Sequence, residues 1–175
     1  MLDTVIQLSL PVDAEVLSEL SIGQELRLFG SIYTMRDAGH QRCLDLLKET
    51  GELPYGLQGQ ALFYAGPTPA AAGRPFGAIG PTTAARMDGI APLLYAAGIR
   101  LTLGKGRRSA AVQQACRQNQ SIYLTTIGGA AALLAKKVLS AQLIAWPDLG
   151  PEALYRLEIA DFPAWLAIDC QGRQL

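Results

Sequence analysis

The sequence predicts an α/β fold with a central, partly parallel sheet flanked by helices. Two observations support this fold class. Short apolar runs typical of strands alternate with helical patterns through the middle of the chain. In addition, a strand-like run is followed by glycine and then a helix at Gly80, at 104–106 and at 128–129. Because ligands of such sheets bind beyond the carboxyl ends of parallel strands, we expect a site near these glycines.

Length and composition point to one domain over residues 1–175, half of whose residues are hydrophobic, so the chain can bury a sizeable core. The formal net charge is zero, which argues against a general nucleic-acid binder. Between Arg86 and Arg117, however, six basic residues accompany a single acid, Asp88. This local positive charge would attract a small anion.

The three cysteines, Cys43, Cys116 and Cys170, are scattered, and no Cys-x-x-Cys is present. Their odd number indicates reduced thiols in a cytoplasm, and their spacing predicts no metal site on this chain. The N-terminus lacks the basic region of a signal peptide. The longest apolar run, 127–135, reaches about half of the roughly 20 residues that a membrane span needs. We therefore expect no membrane association.

The first third of the chain contains three predicted elements. Alternation predicts a strand over 4–10, and Asp13 is expected to cap a short helix that ends near Leu20. A second strand is predicted over 25–35 with a bend at Gly30, because glycine within a strand often marks a bulge. A helix from Arg36 to about Lys48 and a loop over 52–56 follow.

The rest of the chain continues the alternation. A short strand over 61–65 precedes an exposed turn over 68–75, and residues 76–79 lead into the motif at Gly80. A helix over 90–97 ends at Gly98, and Ser109 caps a helix that runs to about Asn119. The remaining predicted elements are strands over 100–103, 121–127, 138–146, 154–159 and 164–168 and a helix over 128–136.

The stretch 80–108 has the residue types of an anion pocket. The proline before Thr82 suits the first position of a helix, whose first turn offers free N–H groups and a favourable dipole. Thr82 and Thr83 would lie in that turn, and Arg86 would share the helix face of Thr82. Lys105 lies between two glycines at the end of a predicted strand. A hydroxyl, a guanidinium and an ammonium would then meet at a carboxylate or phosphate.

Simpler explanations fit the same residues. A threonine-capped helix with a solvated Arg86, and a turn with an exposed Lys105, would both give this sequence. A nucleotide-binding P-loop is not predicted, because the Gly-x-x-x-x-Gly spacing is absent and Gly106 follows the lysine where Ser or Thr is required.

A second group, Arg36, Asp37 and His40, follows the predicted strand 25–35. Arg36 ends an apolar strand, where a charge needs a reason, and would share a helix face with His40. A lone histidine is more often a satisfied interior group than a ligand, and Asp37 suits the positive end of a helix dipole. Further along, residues 128–129 either bind an anion through bare backbone or permit a close helix contact.

Taken together, these motifs resemble the β subunit, or C-terminal domain, of the iron–sulfur hydro-lyases, the class I fumarases and L-tartrate dehydratases. Two departures, Ala84 where serine or glycine is usual and Gly39 where alanine is common, remove no reactive group. The matching segments occur in family order: YTMRDAGH (33–40), YAGP (64–67), GPTTAARMD (80–88), GKGRR (104–108), GGAAAL (128–133), DLGPE (148–152) and YRLE (155–158).

The resemblance implies a swivelling β/β/α domain that closes over a 4Fe–4S cluster held by three cysteines of an α subunit or N-terminal domain. The open iron of that cluster would bind a substrate carboxylate and hydroxyl as a Lewis acid. It also implies that Arg36, Arg86 and Lys105 hold a dicarboxylate, with Thr82 as the proposed base. The predicted catalytic residues are Thr82 and Lys105; the substrate-binding residues are Arg36, Thr82, Thr83, Arg86 and Lys105; the supporting residues are Asp37, His40, Gly104, Gly128 and Gly129.

The function that this resemblance implies is reversible hydration of fumarate to (S)-malate by a β subunit that is inactive without its α subunit. L-tartrate dehydration and non-catalytic binding of a dicarboxylate or phosphate are the alternatives. The expected partners are the cluster-bearing α subunit and a small dicarboxylate, in a hetero-oligomer or, for the isolated chain, a homodimer. Neither nucleic acid nor a membrane is an expected partner.

Overall fold

The computed structural model describes residues 4–70, 72–74 and 77–175, and within them seven strands form one mixed sheet. The strands are β1 (Ile6–Leu10), β2 (Glu25–Met35), β3 (Ala61–Tyr64), β4 (Leu101–Gly104), β5 (Ile122–Thr125), β6 (Val138–Ala145) and β7 (Leu154–Ile168). The helices are α1 (Ala14–Ser18), α2 (Asp37–Thr50), α3 (Ala91–Ala97), α4 (Ala110–Asn119) and α5 (Ala131–Ala135). Short 3₁₀ helices occupy Pro54–Gly56, Ala84–Met87 and Pro147–Glu152.

The strand pairing closes into a ring. β2, β3, β4 and β5 are parallel neighbours in that order, and β7 pairs antiparallel with β5 and also with β2. β1 lies parallel to the first half of β2, and β6 lies antiparallel to the first half of β7. Because β2–β5 run in one direction, their carboxyl ends lie at one edge of the ring.

Two apolar cores lie on the two faces of this ring. Alternating side chains such as Leu28, Phe63 and Phe162 form one core on the inner face, with leucines of α1 and α5 packed onto it. The intervening side chains, such as Leu62 and Tyr123, form the second core with α2, α3 and α4. The crossover helices therefore cover the outside of the ring, as parallel β–α–β connections require.

Several predicted features have the expected physical basis. β2 has the predicted bounds, and its bend at Gly30 is a register shift against β7. The Ser109 hydroxyl accepts a hydrogen bond from the Val112 N–H at 3.5 Å and so caps α4. Asp13 occupies the N-cap position of α1, although its side chain makes no capping hydrogen bond. The predicted α/β fold class, with a central sheet flanked by helices, is confirmed.

The prediction of a helix that begins at the proline after Gly80 was wrong. Thr82 and Thr83 are extended, and the 3₁₀ helix begins only at Ala84. The Thr82 N–H donates to the Tyr64 carbonyl at 2.7 Å, and Pro81 bridges to Ala65. The segment therefore extends the edge of the sheet, because the end of β3 offers it backbone partners.

The prediction of separate strands over 154–159 and 164–168 was also wrong, because β7 runs through both. Pairing jumps from Leu28–Phe162 to Gly30–Ile159, so two residues of β7 face only Phe29 of β2. One of them, Asp161, has a φ of +52°. The bulge accommodates one extra residue in β7, so pairing with β2 resumes on both sides and the strand continues through Pro163.

The turn predicted over 68–75 is exposed where the structure describes it, while Ala71, Pro75 and Phe76 lie outside the described residues. Residues 77–79 form no strand before Gly80, so the strand–glycine–helix pattern occurs at 104–106 and 128–129 but not there. Within the described ranges, every helix is too short or too polar to cross a bilayer.

Replacement of Gly30 by alanine is expected to destabilise the fold by more than a left-handed backbone alone explains. Gly30 has a φ of +100°, and an added Cβ would lie 2.4 Å from the carbonyl oxygen of Leu10 in β1. The conformation costs about 1–2 kcal/mol and the overlap roughly 1–3 kcal/mol more. Chemical denaturation measures the loss.

Gly51→Ala is the matched control, because Gly51 also has a positive φ, +78°, and an added Cβ there meets no atom within 4 Å. We expect this variant to lose only the conformational part, about 1–2 kcal/mol. Equal losses in the two variants would show that the contact between Leu10 of β1 and Gly30 of β2 imposes no constraint.

Candidate functional site

The carboxyl edge of the parallel strands brings together residues that are distant in sequence. Arg36 follows β2, Gly66 lies just beyond β3, Lys105 follows β4, and Gly128 lies just beyond β5. Arg36, Lys105 and Gly128 are predicted site residues, whereas Gly66 is not. A site at this edge has the location that open parallel sheets generally use for ligands.

The Thr82 segment runs along this edge and joins the ends of two strands. Thr82 pairs with β3 as described above, and the Lys105 N–H donates to the Thr82 carbonyl at 3.3 Å. The Ala84 N–H in turn donates to the Lys105 carbonyl at 3.0 Å, and Thr83 forms a parallel bridge with Lys105. Because the Thr82 and Ala84 amides are engaged in these bonds, the predicted anion site at a helix N-terminus is not formed.

The side chain of Arg86 contacts Asp37 at the start of α2 and Thr82 in its own segment. Its Nε donates to Asp37 Oδ1 at 3.1 Å, and its Nη2 donates to Asp37 Oδ2. Its Nη1 donates to the Thr82 hydroxyl at 3.3 Å. Asp37 therefore fixes one side of the guanidinium, and since Thr82 acts as an acceptor here, its own hydroxyl proton is directed elsewhere.

Arg36 lies at the start of α2, and its side chain crosses the backbone at Gly66. A Cβ on Gly66 would lie 2.6 Å from Arg36 Cδ and 2.7 Å from the carbonyl oxygen of Pro151, so only glycine leaves this path open. The Arg36 Nε is buried and has no hydrogen-bond partner among the described residues. A buried donor left unpaired is costly, so this cation is well suited to receive an anion.

Lys105 is exposed and makes no ion pair with any residue that the structure describes. A Cβ on Gly128 would lie 3.7 Å from its Cδ, so the bare backbone of the β5–α5 loop leaves room for the lysine stem. Gly104 serves packing instead, because a Cβ there would lie 3.0 Å from both Ala84 and Tyr64. Gly129 is exposed, and an added Cβ there would meet no atom within 4 Å.

His40 is fully buried and supports the backbone of Arg36. Its Nδ1–H donates to the Arg36 carbonyl at 2.8 Å, and its ring packs edge-on against Tyr64 with centroids 5.1 Å apart. Burial lowers the pKa of His40 to about 4, so the ring is neutral near pH 7. His40 is therefore an interior group that supports Arg36, but it is not fully satisfied, because its buried Nε2 has no hydrogen-bond partner among the described residues.

Sequence reasoning missed the acid that caps α2. The Glu152 carboxylate accepts a hydrogen bond from the Ala38 N–H at 2.8 Å, beside the first turn that carries Asp37. A Cβ on Gly39 would lie 2.5 Å from the Glu152 carbonyl oxygen, so this glycine permits the close approach of the segment 147–152. The DLGPE run contained the signal, since it ends in an acid that no local pattern explains.

A buried ion pair, Asp88 with Arg108, was also missed, although Arg108 belongs to the GKGRR run that contains Lys105. A cavity of about 310 Å³ near Pro67 and Pro151 contains none of the predicted site residues. The candidate site is therefore the open edge itself, where the charged side chains lie.

The cysteines are poorly placed to bind metal. All three are buried, and burial raises the pKa of Cys43 to about 11 and that of Cys116 to about 12, so their thiols stay protonated near pH 7. Among the described residues, no three His, Cys, Asp or Glu side chains are grouped as a metal site would need.

Comparisons with known proteins give matches over nearly the whole chain. A family model described as "Fumarase C-terminus" matches residues 3–175. The chain is 39% identical over 163 residues to the class I anaerobic fumarate hydratase of Escherichia coli K12. The aligned region covers 90% of this chain and 30% of that protein. It is 35% identical over 174 residues to fumarate hydratase 2 of Leishmania major, covering 97% of this chain and 31% of that protein.

A relative of similar length is the L(+)-tartrate dehydratase subunit beta of Escherichia coli K12. The two are 31% identical over 173 residues, covering 96% of this chain and 85% of that subunit. The chain therefore spans about a third of the length of its fumarate hydratase relatives and most of the length of a subunit.

Buried His40 is expected to make the protein less stable in acid. Its pKa is about 4 in the folded chain and about 6.5 when unfolded, so the unfolded state binds the proton more tightly. Its contribution is complete above about pH 6.5 and is lost as the pH falls toward 4, by up to about 3 kcal/mol. Chemical denaturation at about pH 7, 5.5 and 4.5 measures this slope.

His40→Asn is the comparison variant, because its amide can still donate to the Arg36 carbonyl but does not titrate. We expect a shallower loss of stability between about pH 6.5 and 4.5 than in the wild type. His40 is the only histidine in the sequence, so parallel slopes in the two proteins would assign the acid sensitivity to carboxylates instead.

Proposed function

The chain belongs to the fumarase C-terminus family, and from that membership we propose that it supplies half of a hydro-lyase active site shared with a partner. The proposed reaction is the reversible hydration of fumarate to (S)-malate. Two findings support a shared site. The chain corresponds to only about a third of the fumarate hydratases it resembles, and its relative of similar length is by name a beta subunit.

One observation carries the proposal: Arg36, Arg86 and Lys105 lie on segments that share a single edge, and each has a charge or N–H donors left unsatisfied by the residues that the structure describes. A dicarboxylate needs two cationic positions, one for each end. Arg86, oriented by Asp37, keeps N–H groups free for a carboxylate, and Lys105 has no ion partner within the described ranges. Arg36 adds a buried donor beside them.

The residue types suit the chemistry. Removal of water from malate, or its addition to fumarate, passes through a species with extra negative charge on a carboxylate. Fixed cations around that carboxylate stabilise the species more than they stabilise the substrate, which accelerates the reaction. Arg36, Arg86 and Lys105 are assigned this role, and bidentate arginine contacts would also orient the carbon atoms.

Thr82 is assigned the proton transfer at carbon. Its oxygen accepts a hydrogen bond from Arg86 Nη1, so the positive guanidinium stabilises the alkoxide and makes the hydroxyl more acidic than in water. Because the bond from Arg86 uses a lone pair of the Thr82 oxygen, the hydroxyl proton can be directed toward a substrate. Thr83, exposed and bridged to Lys105, is assigned a supporting contact with the substrate.

The Lewis acid of the proposed reaction lies on the partner. The buried, protonated thiols of this chain do not fit a cluster. When bound to the partner, a 4Fe–4S cluster would supply activation of the substrate hydroxyl. The residues of this chain then bind the carboxylates, orient them and move the proton.

L-tartrate is the second candidate substrate, and the similar length of the tartrate dehydratase subunit favours it. Purified chain, alone and after anaerobic reconstitution with a cluster-bearing partner, should be assayed with fumarate, malate and L-tartrate. We expect no turnover by the chain alone and turnover by the complex. Turnover by the chain without iron would contradict a shared site, and succinate binding without any turnover of the complex would indicate a non-catalytic module.

Arg86→Ala and Lys105→Ala are each expected to lower kcat/KM of the reconstituted complex by about 100-fold or more, because each removes a charge that the transition state needs. Both side chains are exposed, so the variants should fold normally. Steady-state kinetics and a thermal melt measure the two effects.

Arg42→Ala and Lys48→Ala are the matched controls. Arg42 is a partly exposed arginine with an acidic partner, Asp148, just as Arg86 has Asp37, and Lys48 is an exposed lysine at the far end of α2. Both should retain wild-type kinetics. Near-normal turnover of Arg86→Ala and Lys105→Ala would show that the site lies elsewhere.

A further inference from the structure

A buried ion pair connects the two segments that carry the candidate cations. The Arg108 side chain is fully buried, and its Nε donates to Asp88 Oδ1 at 2.6 Å. The guanidinium carbon lies 5.1 Å from the Tyr64 ring centroid and 4.8 Å from that of Tyr123. An anionic partner and two aromatic rings therefore hold this cation in one orientation.

Stability alone does not explain these charges. Removal of a carboxylate and a guanidinium from water costs free energy that their mutual attraction only partly offsets, and apolar side chains of similar volume often serve as well. Tyr64 and Tyr123 already provide the apolar surroundings. A requirement for defined positions accounts for the pair better than a requirement for stability.

Each residue of the pair lies close in sequence to one of the candidate cations. Asp88 directly follows the 3₁₀ helix that carries Arg86, and Arg108 ends the loop that begins at Lys105. The same two segments are joined by the backbone bonds of Ala84 and Lys105 described above. The ion pair is therefore a second link between them, made through side chains.

Further contacts fix each end of this link. The second Asp88 oxygen accepts a hydrogen bond from the Ser109 N–H at 2.7 Å, at the start of α4. The Tyr123 hydroxyl donates to the Gly106 carbonyl at 3.0 Å, which anchors the loop after Lys105 to β5. The Arg108 N–H donates to the Gln174 side chain at 2.8 Å.

We propose that the Asp88–Arg108 pair positions Arg86 and Lys105 relative to each other without contacting the substrate. The role given to those two cations rests on the proposed function. Arg86 and Lys105 carry like charges on adjacent segments and repel each other, most strongly when no anion lies between them. The buried pair of opposite charges opposes that separation and keeps the two cations spaced for a carboxylate.

Hydrogen exchange and kinetics together test this proposal. Asp88→Asn removes the charge but keeps the shape, and Arg108→Lys keeps the charge but loses the planar fork. In the chain alone we expect exchange of the Ala84 and Lys105 amides to become about tenfold faster or more, with β2–β7 amides such as Leu28 unchanged. In the reconstituted complex, assayed well below its melting temperature, kcat/KM should fall about 10–100-fold, as for a small misplacement of binding groups.

Asp148→Asn is the matched control, because it cuts an exposed arginine–aspartate pair remote from Ala84 and Lys105 in sequence, and should change neither measurement. Unchanged exchange and turnover in Asp88→Asn, or faster exchange throughout the sheet, would overturn the positioning role. If Asp88→Asn fails to fold, Arg108→Lys gives the same measurement. If the wild-type complex hydrates no substrate, the proposed function is wrong. Hydrogen exchange of the Ala84 and Lys105 amides in the chain alone still tests whether the ion pair positions the two segments.

Discussion

The common direction of β2, β3, β4 and β5 is the constraint on which the candidate site depends. β3, β4 and β5 are short and almost wholly buried, β2 is longer and partly buried, and each strand is followed by residues that no longer need to fill a core. Because the four carboxyl ends lie side by side, chemistry encoded in motifs up to about ninety residues apart is collected within one edge. The Thr82 segment adds to this edge because the ends of β3 and β4 offer it backbone hydrogen-bond partners.

Backbone and side chains have different roles at this edge. Glycines at 66, 104 and 128 allow close approach, so that the stems of Arg36 and Lys105 and the Thr82 segment pass over bare backbone. Side chains with no direct part in the proposed chemistry, His40, Asp37 and Glu152, hold the start of α2 through hydrogen bonds. Neutral His40 adds no positive charge to an edge that is already cationic.

Local sequence rules predicted those features that local chemistry sets, such as the Ser109 cap of α4 and the irregularity of β2 at Gly30. They failed where a distant partner decides the conformation. A proline followed by two threonines satisfies the rules for a helix start, but the Tyr64 carbonyl draws the Thr82 segment into the sheet. The motifs named Arg36, Arg86 and Lys105, whereas Glu152 and the Asp88–Arg108 pair depend on contacts between distant segments that no short pattern encodes.

The closure of the sheet between β2 and β7 has a mechanical consequence. An open sheet can widen a cleft by twisting or sliding its outer strands, but a closed ring has hydrogen bonds on both sides of every strand that carries the edge. The backbone of the rim is therefore stiff, and it gives the segments that carry the cations fixed starting points. Under the proposed function, a gate that admits a small diacid and then excludes water would therefore come from rigid-body movement of this domain against its partner, not from deformation of the ring.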